Sequence, residues 1–177
     1  MTRGGEACQG LPDIASGGGR LPHHSVLPIL CLVPLLLVAT DGRESSAGAI
    51  RLARRLAESH QSDVELLTIG DTRSGRSVEA LLDTLFASPP AWPQTIAPGE
   101  IGPALTRISR ERNPYMLIVG MKTDSERRTA IRFASSAPIP VLVVPAHVAE
   151  QPRRALLALD FSQSSLHAAT VALTVLA

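Results

Sequence analysis

The chain has 177 residues, with 17 Lys plus Arg against 16 Asp plus Glu and a formal net charge of +1; that is room for one ordinary domain and an appendage. Near-neutral charge excludes a protein built to neutralise a nucleic-acid backbone, and an aromatic share of 3% leaves no stacking platform for single strands. A hydrophobic share of 45% excludes wholesale disorder, while Cys8 and Cys31 by themselves make neither a disulfide framework nor a zinc site.

Glycines 4, 5, 10, 17, 18 and 19 stand among Pro12, Pro22 and Pro28, with few apolar residues before Val26. Such a stretch buries too little surface to offset its ordering entropy, so residues 1–33 read as a disordered tail. Val26 to Ala39 is apolar but broken by Pro28 and Pro34. It is shorter than the about 20 residues of a membrane span, and it lacks the basic lead-in and small-residue cleavage pattern of a secretory signal. The expected setting is therefore the reducing cytoplasm, with no membrane partner. After Pro34, Leu35–Ala39 reads as a strand buried on both faces of a parallel sheet.

Asp41-Gly42 breaks that strand, and Glu44-Ser45-Ser46 supplies helix-start chemistry. From Ala47 to about Ser59 one helical face is Ala49, Ile50, Leu52, Ala53, Leu56 and Ala57, with Arg51, Arg54, Arg55 and Glu58 mostly opposite. Val64–Ile69 is a second strand. Ser77–Phe86 reads as a short helix. Ala87–Gly99, with four prolines, has room for a short edge strand at most. Ile101 to about Arg112 is helical, Tyr115–Val119 is a strand stopped by Gly120, Glu126–Ser136 is a helix, and Pro140–Pro145 is a last strand fenced by prolines. Strands alternating with helices predict a doubly wound, Rossmann-like parallel α/β domain with helices on both faces.

Leu37-Val38-Ala39-Thr40-Asp41 recurs as Leu156-Leu157-Ala158-Leu159-Asp160. With Asp41 set on Asp160, Ser45 and Ser46 fall on Ser164 and Ser165, Ala49 on Ala168 and Ala53 on Ala172. The expectation is a domain over 34–146, a linker over 147–152, and over 153–177 the first β-α unit of a truncated second repeat. In that unit Leu166, Ala169, Leu173 and Leu176 would face a core this chain does not contain.

In open α/β sheets ligands bind beyond the carboxyl ends of strands, where strand order reverses. Asp41 follows the first strand just before a helix N-terminus, and Gly120 opens the polar loop Met121-Lys122-Thr123-Asp124-Ser125. Together they are placed to bracket a nucleotide, Asp41 on sugar or base and the loop on phosphates. The competing readings are a helix-capping carboxylate and a plain strand terminator.

These segments resemble the universal stress protein superfamily. Leu35 to Gly42 with Glu44-Ser45-Ser46 and the Ala-rich helix is similar to its opening segment; Pro98-Gly99-Glu100-Ile101 is similar to the turn into its third helix; Tyr115–Gly120 and Ala137–Pro145 are similar to its last two strands. The resemblance implies a five-stranded parallel sheet, a stress-response role, dimerisation often through the last strand, and in some members ATP binding. The ATP-binding members carry glycine, two residues, glycine, nine residues, then glycine and Ser or Thr. From Gly120 those places hold Thr123, Phe133 and Ala134, and Tyr115 stands where the family usually has Asp. Lost glycines remove the close backbone approach that a phosphate nest needs. Lys122, Arg127, Arg128 and Arg132 are the candidates to supply charge in its place, against a solvated helix face.

The candidate nucleotide site is thus Asp41, Gly120, Lys122, Thr123, Arg127 and Arg128, with ATP as the one cofactor implied. His23, His24, His60, His147 and His167 show no metal spacing, no nucleophile has an identifiable base, and Trp92 reads as a packing anchor. The expected function is a non-catalytic stress-adaptation protein, homodimeric or paired through its last strand or C-terminal segment, with nucleotide binding lost or weakened. The alternatives are an ATP-binding stress sensor using Asp41 and the Gly120 loop, and a nucleotide-dependent hydrolase or transferase.

Overall fold

In the computed structural model, which describes residues 34–70, 72–135 and 137–176, the apolar run after Pro34 forms β1, Leu35–Ala39. A 3-10 turn over Glu44–Ser46 leads into α1, Ala47–His60. Then come β2 (Asp63–Ile69), α2 (Thr72–Leu85), β3 (Gln94–Ala97), α3 (Ile101–Arg112), β4 (Met116–Met121), α4 (Asp124–Ala134), β5 (Val141–Pro145) and α5 (Gln163–Leu176). The disordered-tail reading of residues 1–33 lies outside the described residues.

The five strands form one parallel sheet in the order β3-β2-β1-β4-β5. Period-two alternation divides the strand residues between two apolar layers. Leu36 and Val38 of β1 join Leu66, Met116 and Ile118 on the face covered by α1, α2 and α5. Leu37 joins Leu67 and Leu117 on the other face, with Leu105 and Ile108 of α3 and Phe133 of α4. The doubly wound α/β expectation holds. Strand order reverses between β1 and β4, so the crevice beyond their carboxyl ends is the topological switch point.

Several local expectations shift. α2 begins at Thr72, five residues before Ser77, and α4 begins at Asp124 rather than Glu126. β4 does not stop at Gly120 but runs through it to Met121, because Gly120 pairs with Val144 of β5. Trp92 packs against Phe86 edge to face, ring centroids 6.5 Å apart, as a packing anchor should.

The strand expected at Leu156–Asp160 does not form. Among the described residues the segment has no ladder partner for its amides and runs exposed, Leu156 at 99%. α5 does form, but the face expected to await a missing core is not the face it buries. Val171 and Val175 dock on the α1 side of the sheet, while Leu166 and Leu173 stay exposed. What the segment at Asp160 does share with that at Asp41 is a turn. Asp160 Oδ1 accepts from the Ser162 amide at 2.9 Å, as Asp41 Oδ1 accepts from the Arg43 amide at 3.0 Å. Phe161 takes φ 61°, where Gly42 takes φ 73°. The hydroxyls of Ser165 and Ser162 hold the Asp160 carboxyl down at about 2.

Among the described residues no helix is long and apolar enough to cross a membrane.

Candidate functional site

The site begins with the turn after β1. Asp41 Oδ1 accepts from the Arg43 amide at 3.0 Å and from Ser46 Oγ at 3.2 Å, and the Thr40 hydroxyl accepts from the Gly42 amide at 3.1 Å. The Asp41 carboxylate therefore fastens the loop to the N-cap residue of α1, and its other oxygen lies 3.6 Å from Arg43 Nε. The capping reading and the ligand reading both survive, because half of the side chain remains open to solvent.

Glycines decide how closely this turn approaches the sheet. A Cβ on Gly120 would lie 2.3 Å from the Ser45 carbonyl oxygen and 2.6 Å from Ser46 Cα. A Cβ on Gly48 would lie 2.1 Å from the Pro145 carbonyl oxygen. Gly120 is thus not a strand terminator. It is the point on β4 where the start of α1 rests on the sheet. The carboxyl ends of β1 and β4, in register at Ala39 and Val119, border a cleft of about 370 Å³.

The cleft has an apolar floor, including Leu67, Ile69, Leu105, Val119 and Phe133, and a polar rim that includes Asp41, Ser125, Glu126 and Thr129. Among the described residues no Lys, Arg or His lines it. The predicted basic residues lie elsewhere. Lys122, Thr123 and Arg127 line a second, open groove with Glu44, Arg51 and His147, and Arg128 lines neither. The six-residue site expected from the sequence is divided in two. Asp41 and Gly120 share the cleft; Lys122, Thr123 and Arg127 share the groove.

The basic side chains are also engaged. The Lys122 ammonium makes a close ion pair with Glu44, which raises the lysine above its ordinary value and lowers the carboxyl below its own. Arg127 pairs with Asp124 at 3.2 Å, one helical turn away. The groove therefore carries near-balanced charge rather than a cationic patch.

Thr123 is the N-cap of α4 in a reciprocal capping box. Its hydroxyl accepts from the Glu126 amide, and Glu126 Oε2 accepts from the Thr123 amide at 2.9 Å and the Lys122 amide at 2.6 Å. Those amides hold the Glu126 carboxyl below the ordinary range, so it stands as an anion at the positive end of the helix. A phosphate at the same place would need the same amides. The residues present do not fit one: a built-in carboxylate already takes that position. Glu126 and Glu44 were both missed in reading the sequence, although Thr-x-x-Glu at 123–126 is a capping-box signature.

Among the described residues no group of three or more His, Cys, Asp or Glu is placed to hold a metal ion. The cleft offers acceptor oxygens over an apolar floor, and the Ser46 hydroxyl within it donates to the Asp41 carboxylate at 3.2 Å. Fold and site together define a Rossmann-like α/β protein with a crevice at its switch point.

No family profile matches the chain, and no curated protein sequence matches it. Solved structures do. A universal stress protein crystallised in complex with cAMP is 19% identical, with a TM-score of 0.51 over 64% of this chain and 98% of that one. A universal stress family protein from Burkholderia pseudomallei is 21% identical, with a TM-score of 0.49, covering 63% of this chain and 96% of its own. One from Arabidopsis thaliana, with AMP bound, is 15% identical, with a TM-score of 0.48, covering 67% and 96%. The fold is that of the universal stress proteins.

Proposed function

We propose that this chain is a non-catalytic, cytoplasmic stress-adaptation protein that acts by pairing, and whose binding of phosphate-bearing nucleotides is lost or much weakened. The observation that carries this reading is the Glu126 carboxylate on the amides of Lys122 and Thr123. An incoming phosphate would have to displace that anion and meet a Lys122 already committed to Glu44. The absence of cations from the cleft lining works in the same direction. Pairing is supported by the open edge of β5, and by exposed Leu156, Phe161, Leu166 and Leu173 in the C-terminal segment. The matched Asp41 and Asp160 turns support reading residues 153–177 as the opening of a second repeat.

A second reading has one observation in its favour. The cleft lies at the switch point with Asp41 on its rim, and a protein of this fold binds cAMP. That favours an adenine-nucleotide sensor. Calorimetric titration of the full chain with ATP, with Asp41→Ala alongside, separates the two. The expected result is no saturable heat up to millimolar ATP. Micromolar binding abolished by Asp41→Ala would replace the proposed function with the sensor.

A further inference from the structure

The cleft beyond β1 and β4 is not a phosphate site stripped of its donors; its charge has the opposite sign. Two carboxylates, Asp41 and Glu126, stand on the rim, and Glu126 is fixed there by two backbone amides. Arg43, outside the lining and 83% exposed, rests against Asp41 at 3.6 Å, and its charge also favours the Glu126 anion. Lys122 and Arg127 line the second groove, paired to Glu44 and Asp124. Below the rim the walls are apolar, and the volume of about 370 Å³ is that of a small-ligand pocket. A carboxylate only accepts hydrogen bonds, so a rim of this kind rewards a ligand that donates.

We propose that this cleft binds an organic cation: a small ligand with an apolar, planar body for the floor and an ammonium-type head for the Asp41–Glu126 rim. The proposal rests on the reading that phosphate-bearing nucleotides are excluded, and goes beyond it by giving the cleft a ligand of its own. The head would take the place of Arg43 on Asp41. That exchange loses little, because an exposed ion pair is screened and weak. An anionic substituent on the same body would face two like charges, Asp41 and Glu126, on the rim.

The test holds the body constant and changes only the charge. 5′-Amino-5′-deoxyadenosine, adenosine and AMP are titrated into the full chain by calorimetry, with Glu126→Gln in parallel. Glutamine keeps the capping hydrogen bond to the helix start while removing the charge. The expected order is ammonium tighter than neutral by about tenfold, neutral tighter than phosphate by about tenfold, with both steps narrowing in Glu126→Gln. Equal affinity for the amino compound and adenosine, or no binding by any of the three, overturns the organic-cation proposal and leaves the loss of phosphate binding standing. AMP binding more tightly than adenosine overturns both. An unchanged ammonium preference in Glu126→Gln would also overturn the assignment of that preference to this rim.

Discussion

Replacing Gly120 with alanine tests whether the start of α1 is seated on β4 as described. The added Cβ would stand 2.3 Å from the Ser45 carbonyl oxygen and 2.6 Å from Ser46 Cα, where ordinary contact begins at 3.4 Å. Both neighbours are backbone, so no side chain can swing away. Either β4 or the 3-10 turn must move by about 1 Å, against sheet pairing on one side and the buried Ser46 and Ala47 on the other. Overpacking typically costs about 1–3 kcal/mol, and rigid neighbours put this case near the top, at about 3 kcal/mol. For a domain of this size that lowers Tm by roughly 6–12 °C. Gly102 in α3 provides the control. Nothing lies within 4 Å of a Cβ built there, and its alanine variant should be neutral or stabilising by up to about 1 kcal/mol. Thermal and urea unfolding followed by circular dichroism would compare the two. A Gly120→Ala variant that melts within about 2 °C of Gly102→Ala would refute the close approach.

Acid titration and the seating of α5 supply two further checks. The Glu126 carboxyl is held below its ordinary value of 4.5 by the Lys122 and Thr123 amides. Its contribution to stability is full above that value and fades as pH falls through the lower folded one. The Tm gap between wild type and Glu126→Gln should therefore close below about pH 4.5, and a gap that stays constant from pH 7 to pH 3 would contradict the capping geometry. Val175 is 6% exposed and belongs to the core on the α1 side of the sheet. Val175→Asp places an unpaired charge there, so amide hydrogen exchange in α5 should accelerate by about tenfold or more while β1 and β4 remain protected. Equal exchange rates in α5 would mean that the helix is not docked.

Much of the fold was legible in order along the chain. Leu35–Ala39, Val64–Ile69 and Val141–Val144 are apolar runs bounded by Pro, Gly or Asp, and the layers on either face of a parallel sheet require such runs. Asp41 before a helix start was equally visible, because short-range hydrogen bonds to Arg43 and Ser46 depend only on nearby residues. The similar turn at Asp160 forms for the same reason, even at Phe161. Sequence could not say what distant backbones do to each other. That Ser45 and Ser46, some 75 residues before Gly120, lie on it is visible only in the folded chain. Leu156–Asp160 carries the pattern of a strand, yet a strand exists only if another supplies its hydrogen bonds. The six candidate site residues share one stretch of sequence or one end of the sheet. The tertiary structure separates them, because Lys122 and Arg127 leave the start of α4 toward Glu44 and Asp124 while Glu126 turns back onto its own cap beside the cleft. Local chemistry was enough to specify the elements and their turns. The sign of charge around the cleft depended on which side chains the packing pairs with one another, and only the folded chain determines that.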